Sequence, residues 1–263
     1  MTRGPISLIY HDVARTGERS QAGFETPVAD AYKLEPGLFS AHLRAIKGTG
    51  VHVGCYDERP QAMLTFDDGG ASSLPIADEL ERHGFRGTFF VVTGRLGTPG
   101  FLDQADVRDL VRRGHQVGSH SHTHPAYMAR LPTEDVRDEW QASREVLGEI
   151  LGFAPPLAAV PGGSVSAIVA AEVARAGYTH MFTSTPRARI ITQAGIEVWG
   201  RYTMWASDSP QRAAALVSRR LAPRVRRWMG WQLKSGLKRV APAAYEAARA
   251  GRASARKDAS RAT

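Results

Sequence analysis

The stretch LTFDDGG, residues 64–70, ends an apolar run with two adjacent aspartates and two glycines. Further along, GHQVGSHSHTHP (114–125) holds His115, His120, His122 and His124, four of the nine histidines in the chain. His120 and His124 are four apart, so one turn of helix or a tight loop brings both imidazoles onto one ion. Two neutral imidazoles and one carboxylate make the three-protein-ligand set of a catalytic zinc-type site, with a further position open for water. Asp67 and Asp68 leave a strand end pointing in different directions, so one carboxylate can hold an ion while its neighbour faces a substrate. Each feature has a plainer reading: Asp before a helix is a common N-cap, and Gly69-Gly70 can be a simple turn. Ligand-spaced histidines beyond one strand, with paired carboxylates beyond an earlier one, favour metal binding. His122 is then expected to point away from the pair, and His115 to pack or hydrogen-bond at a strand start.

The elements that must position these side chains are legible as alternating patterns. ISLIY (6–10), QAMLTF (61–66), GTFFVV (87–92), QVGS (116–119), LAAV (157–160) and THMFTS (179–184) read as short β-leaning strands. Helices are expected near 36–50 and at 73–83, 103–113, 133–151 and 165–176. The helix at 133–151 has Thr133 as its expected N-cap, acidic residues in its first turn and Gly152 after its end. RIITQAGIEVWGRY (189–202) reads as a hairpin around Gln193–Gly195. Strands alternating with helices predict βαβ units and a parallel sheet, either open and doubly wound or closed into a barrel. Both architectures build their sites at the carboxyl ends of the strands, where Asp67, Asp68 and the histidines fall.

LTFDDGG and HSHTHP resemble the first two signature motifs of the polysaccharide deacetylase family, the NodB-homology or carbohydrate esterase family 4 domain. The resemblance covers roughly residues 60–200. It implies an α/β fold, a distorted (β/α) barrel, and metal-dependent removal of an N- or O-acetyl group from a sugar. Position by position, Asp67 resembles the catalytic base, while Asp68, His120 and His124 resemble the metal ligands. Ser121 stands where a hydroxyl buttresses the histidine loop. The implied cofactor is a divalent ion, zinc first, with cobalt, manganese or nickel as alternatives. VPGGSVS (160–166) resembles the third motif, usually Arg-Pro-Pro-Tyr-Gly, and that register gives the Gly162 backbone N–H a place in the oxyanion site. An ordinary turn with Ser164 as N-cap is the plainer reading there.

Two departures stand out. The third-motif register puts Ala159 where the family has the arginine that holds the base, and Arg201 is the expected substitute. The family's last motif, Leu-x-His, supplies a general acid, yet no histidine follows His180. IYHDV (9–13) resembles the Tyr-His near the start of exopolysaccharide-associated deacetylases, which makes His11 the candidate proton donor. Hydrolysis of another non-peptide amide, a formamide or ureide, is an alternative on the same fold. A catalytically silent glycan-binding module is the alternative of a different class.

Composition bounds the rest. At 263 residues, 43% hydrophobic and 23% charged, the chain fits one large domain, or a domain of about 200 residues with an appendage. Its net charge of +8 is unevenly spread: residues 210–263 hold 14 Lys and Arg against 2 Asp and Glu, and the body is net negative. The expected division is a deacetylase domain at 1–209, a basic amphipathic helical extension at 210–249 and a disordered tail at 250–263. The extension either packs on the body with a solvated basic face or lies on an anionic membrane surface through residues 210–240. Nucleic acid is not an expected partner, because the paired Asp/His site would have no role in it. MTRGPISLIYHDV has no signal-peptide pattern and no apolar run reaches 18 residues, so the expectation is a cytoplasmic protein, peripheral at most to the inner membrane surface. Cys55, the only cysteine, excludes an internal disulfide.

Overall fold

The structure, a computed structural model, describes residues 2–240; the expected tail at 250–263 and the end of the extension at 241–249 lie outside the described residues. Its strands are β1 (Thr2–Arg3), β2 (Ile6–Tyr10), β3 (Ala62–Phe66), β4 (Thr88–Val91), β5 (Gln116–Ser119), β6 (Leu157–Ala159), β7 (His180–Thr183), β8 (Arg189–Gln193) and β9 (Ile196–Thr203). Its helices are α1 (Pro27–Asp30), α2 (Pro36–Lys47), α3 (Ser73–Arg82), α4 (Gln104–Arg112), α5 (Thr133–Leu151), α6 (Ala167–Arg175), α7 (Pro210–Val217) and α8 (Leu221–Val240).

β2 to β7 run parallel in sequence order, and β9 lies parallel between β7 and β2, closing a seven-stranded barrel. The barrel is distorted at the β5–β6 seam, where Ser119 opposite Ala158 is the one register pair. Strands buried on both faces read as continuous apolar runs, and period-two alternation sorts them. Leu64 and Phe89 face outward under α3 and α4, against Ile76, Leu80, Val107 and Leu110. Met63 and Phe90 face inward with Leu157, Phe182 and Trp199.

The hairpin carries the closure. β8 and β9 pair antiparallel around Ala194 and Gly195, whose positive φ values of 50° and 82° suit a tight hairpin turn. β8 is half exposed, whereas β9 continues past its partner and is almost wholly buried, because its far half forms part of the barrel wall.

Two helix starts differ from the sequence expectation. Thr133 is already helical, and the capping position belongs to Pro132, with no side-chain cap. α6 is capped by Ser166, whose Oγ accepts from the Val169 N–H, because the left-handed pair Gly162-Gly163 delays the helix; Ser164 instead accepts from the Ala129 N–H. Beyond residue 209, α7 packs Ala213, Leu216 and Val217 into the body beside α2. Pro223 falls in the first turn of α8, where its missing N–H costs no helical bond, so the helix runs on through it. Among the described residues no helix is long and apolar enough to cross a membrane.

Candidate active site

The first residues beyond β2, β3 and β5 meet at one barrel mouth. His11 follows Tyr10, Asp67 and Asp68 follow Phe66, and His120 follows Ser119. Gly69 and Gly70 let the chain turn away in little space: a Cβ on Gly69 would lie 3.1 Å from the Val91 backbone, and one on Gly70 would lie 2.0 Å from an Asp12 carboxylate oxygen. Asp12 is itself buried and bonded by Ser72 Oγ at 2.7 Å.

Asp68, His120 and His124 offer one ligand atom each, all within 4.8 Å of one another. The Nε2 atoms of His120 and His124 lie 3.5 Å and 3.4 Å from the same Asp68 oxygen. The two histidines converge through a tight loop rather than a helical turn. Asp68, Ser121 and His124 hold φ values of 80°, 64° and 64°, a left-handed conformation that non-glycine residues rarely adopt and that clusters at functional sites. Hydrogen bonds hold that backbone: Ser121 Oγ accepts from the His124 N–H at 3.1 Å, and Glu139 of α5 accepts from the N–H groups of His122 and Thr123 at 2.9 Å and 2.8 Å.

His120 Nδ1 bonds the Ala159 carbonyl oxygen at 2.9 Å, which fixes Nδ1 as the protonated nitrogen and leaves the Nε2 lone pair for a ligand. Burial holds the imidazoles down, His120 to about 3 and His124 to about 4, so both are neutral at physiological pH. The two carboxylates are driven apart. Burial, with the charges of Asp67 and Asp12 against that of His11, pushes Asp68 up to about 7. Burial also raises Asp67, but the charges of Arg201 and His120 and the Arg201 hydrogen bonds outweigh it and bring it to about 2. A buried carboxylate short of counter-charge beside two neutral imidazoles is a donor set that fits a divalent cation.

Arg201 enters from β9. Its Nη1 and Nη2 donate to the two Asp67 oxygens at 2.6 Å and 2.9 Å, and Nη1 also donates to Thr65 Oγ1 at 3.0 Å. The guanidinium is 1% exposed and lies over the rings of Phe90 and Phe182. Ala159 offers Asp67 only a methyl group, and its carbonyl orients His120 instead. Gly162 follows β6 in a left-handed turn at the same barrel mouth, with φ 58°. His11 stacks on Tyr32 with ring centroids 4.6 Å apart, and its Nδ1 is buried without a hydrogen-bond partner among the described residues. His122 turns away to Thr93 Oγ1 at 2.9 Å. His115 is structural: Nδ1 accepts from the Gly87 N–H at 3.1 Å and Nε2 faces Glu81 Oε1 at 3.1 Å.

Sequence reading passed over Glu139, Tyr32 and Phe24. Phe24, from the long segment after β2, packs its ring 4.7 Å from that of His124. Glu139 carried a weak signal, an acid within the helix that follows the histidine loop. Phe24 and Tyr32 lie in a segment without periodicity and carried none.

Residues 56–181 match the sequence profile described as polysaccharide deacetylase. A peptidoglycan-N-acetylglucosamine deacetylase of Listeria monocytogenes is 35% identical over 112 residues, 42% of this chain and 23% of that protein, so the chain spans less than a quarter of its length. The crystal structure of a polysaccharide deacetylase from Bacillus cereus superposes with a TM-score of 0.69 at 18% identity, covering 81% of this chain and 68% of that one. The structure of IcaB from Ammonifex degensii does so with a TM-score of 0.67 at 19% identity, covering 82% and 98%. At those identities the solved structures establish the fold. Residues 56–181, just under half of the chain, match the polysaccharide deacetylase profile and carry its two motifs on a distorted barrel.

Proposed function

We propose that the protein is a metal-dependent deacetylase that hydrolyses an acetyl group, N-linked in the first instance, on a sugar of a polysaccharide. The observation that carries this reading is the bidentate Arg201–Asp67 pair beside the Asp68, His120 and His124 donor cluster. A divalent ion held by those three donors would act as a Lewis acid on the acetyl carbonyl and acidify water. Asp67, ionised and fixed by Arg201, accepts the proton of the attacking water. Arg201 sets the orientation of both carboxylate oxygens, and its charge keeps Asp67 in the accepting form. The Gly162 N–H is assigned to the oxyanion that develops on the carbonyl. His11 donates a proton to the departing amine, in place of the late histidine that the family uses. Its stack on Tyr32 fixes the plane in which the imidazole works.

The wider setting we propose is exopolysaccharide synthesis or modification. The His11 position favours it, as does fold similarity to IcaB over 98% of that chain. We assign residues 1–209 to the deacetylase domain and 210–249 to a basic extension that meets an anionic membrane surface through residues 210–240. α8 supports this: Leu221, Val225, Trp228, Met229 and Leu233 are exposed on one face in a strongly basic segment. Flotation with anionic liposomes tests the extension, and binding that survives deletion of residues 210–263 would refute it. Release of acetate from chitin oligomers, with zinc, cobalt, manganese or nickel added in turn, tests the activity. Acetate is expected, whereas turnover of formamides or ureides alone would transfer the site to the alternative chemistry.

A further inference from the structure

We propose that the space between the barrel rim and α8 is a subsite for an acidic sugar residue, one carrying a carboxylate or a phosphate. The proposal rests on the glycan reading above and adds to it the class of sugar. A cavity of about 300 Å³ opens there, reaching Ser184 and Thr203 on the rim and walled by Trp205, Arg226, Arg227 and Trp231. Arg212 of α7 lines it as well, so three guanidiniums surround it.

One buried carboxylate, Asp208, stands among these three cations, and both of its oxygens are committed. Oδ1 accepts from Arg212 Nη1 at 2.6 Å, while Oδ2 accepts from the Trp205 N–H at 2.9 Å and from Arg227 Nη2. Arg226 is exposed and makes no ion pair among the described residues. Arg227 Nε is buried with no acceptor among the described residues. Burial holds the Arg227 pKa below its usual value, the charges of Arg212 and Arg226 add to that, and Asp208 opposes it. The cavity therefore carries more positive charge than the protein neutralises. A guanidinium fork matches a planar carboxylate or a phosphate with paired hydrogen bonds.

The remaining lining suits a sugar. Trp205 and Trp231 provide apolar faces, and such a cavity with a few convergent polar groups has the composition of a small-molecule site. A row of stacked rings links its wall to His11. Trp205 stacks on Tyr32 at 4.5 Å, and Tyr32 stacks on His11 at 4.6 Å, which sets the cavity two rings away from the proposed proton donor. α8 is divided accordingly, with Pro223, Arg226, Arg227, Gly230 and Trp231 on the cavity side and its exposed apolar residues on the other.

The test uses the full chain and two matched pairs of probes: hyaluronan tetrasaccharide against neutral chitotetraose, and N-acetylglucosamine 1-phosphate against N-acetylglucosamine. Binding is read from tryptophan fluorescence in wild type, Arg226→Glu and Trp231→Ala. At least one acidic probe is expected to bind about tenfold more tightly than its neutral match, as one charge-assisted contact allows. Which pair shows the preference distinguishes carboxylate from phosphate. Arg226→Glu should abolish the preference, and Trp231→Ala should weaken both members of the pair. Equal binding within both pairs, or a preference that survives Arg226→Glu, overturns the subsite. Arg226 lies outside the Asp208 clamp, so its substitution leaves the anchoring of α8 intact. Acetate release from chitotetraose by the same preparations scores the deacetylase reading separately.

Discussion

Arg201 and Asp67, 134 positions apart, form a two-point ion pair with N–O distances of 2.6 Å and 2.9 Å in the barrel interior. Three parallel strands make it possible: β9 carries the arginine, β3 ends at the aspartate, and β2 lies between them, so the guanidinium must cross the interior. Oriented in this way, one of two adjacent carboxylates stays ionised at the mouth while the other is left to the donor cluster.

Removing one partner of a buried pair strands the other charge. Arg201→Ala is expected to cost about 3–5 kcal/mol of stability in urea denaturation. Arg201→Lys should cost less, because it keeps the charge, yet it should still lower kcat, because an ammonium cannot donate to both oxygens in the guanidinium geometry. A full-rate lysine variant would show that the second contact is dispensable.

The histidine loop depends on Ser121. With Oγ removed, the His124 N–H loses its acceptor and the strained φ at His124 loses its support. Ser121→Ala is expected to weaken zinc binding by about 10- to 100-fold, the range for supporting groups around metal ligands. Equilibrium dialysis with metal analysis measures it, and unchanged affinity would place the support elsewhere, with Glu139 the next candidate.

Much of this site was legible because its chemistry is written locally. Asp67 and Asp68 adjoin a strand end, and His120 and His124 carry their spacing on their face. The alternation of strands and helices placed all four at one end of a parallel sheet before any coordinates. What sequence could not carry was non-local. Arg201 could be named as a substitute for the arginine missing at Ala159, but its path through the interior follows from β9 becoming the seventh barrel strand, whereas its local pattern is only that of a hairpin arm. The helix starts at Pro132 and Ser166 were decided by backbone turns that side-chain preference does not encode. Tyr32 and Phe24 reach the site from an aperiodic segment and are placed by packing alone.

His115 supplies a pH dependence apart from the Asp68, His120 and His124 cluster. Burial lowers its pKa, against the pull of Glu81, so the folded protein keeps it neutral where the unfolded chain would take up a proton. Its contribution to stability is complete above about pH 6.5 and is lost as pH falls through the lower folded value. Denaturant titrations from pH 7.5 to 4.5 should show wild type losing more stability than His115→Gln over that window. Parallel curves would contradict the neutral assignment.

If His11 donates the proton to the leaving amine, His11→Gln should lower kcat by about 10²- to 10⁴-fold, with KM and bound metal little changed. A variant that loses metal along with activity would point to a structural role at the mouth.

The central claim is a division of labour between two adjacent carboxylates, and the Asp67→Asn and Asp68→Asn variants measured side by side address it most directly. Acetate release from chitotetraose and bound zinc are determined on the same samples. Asp67→Asn should bind zinc and release no acetate above background, while Asp68→Asn should lose both. Acetate release that survives in Asp67→Asn, or zinc retained at wild-type level in Asp68→Asn, would contradict the account.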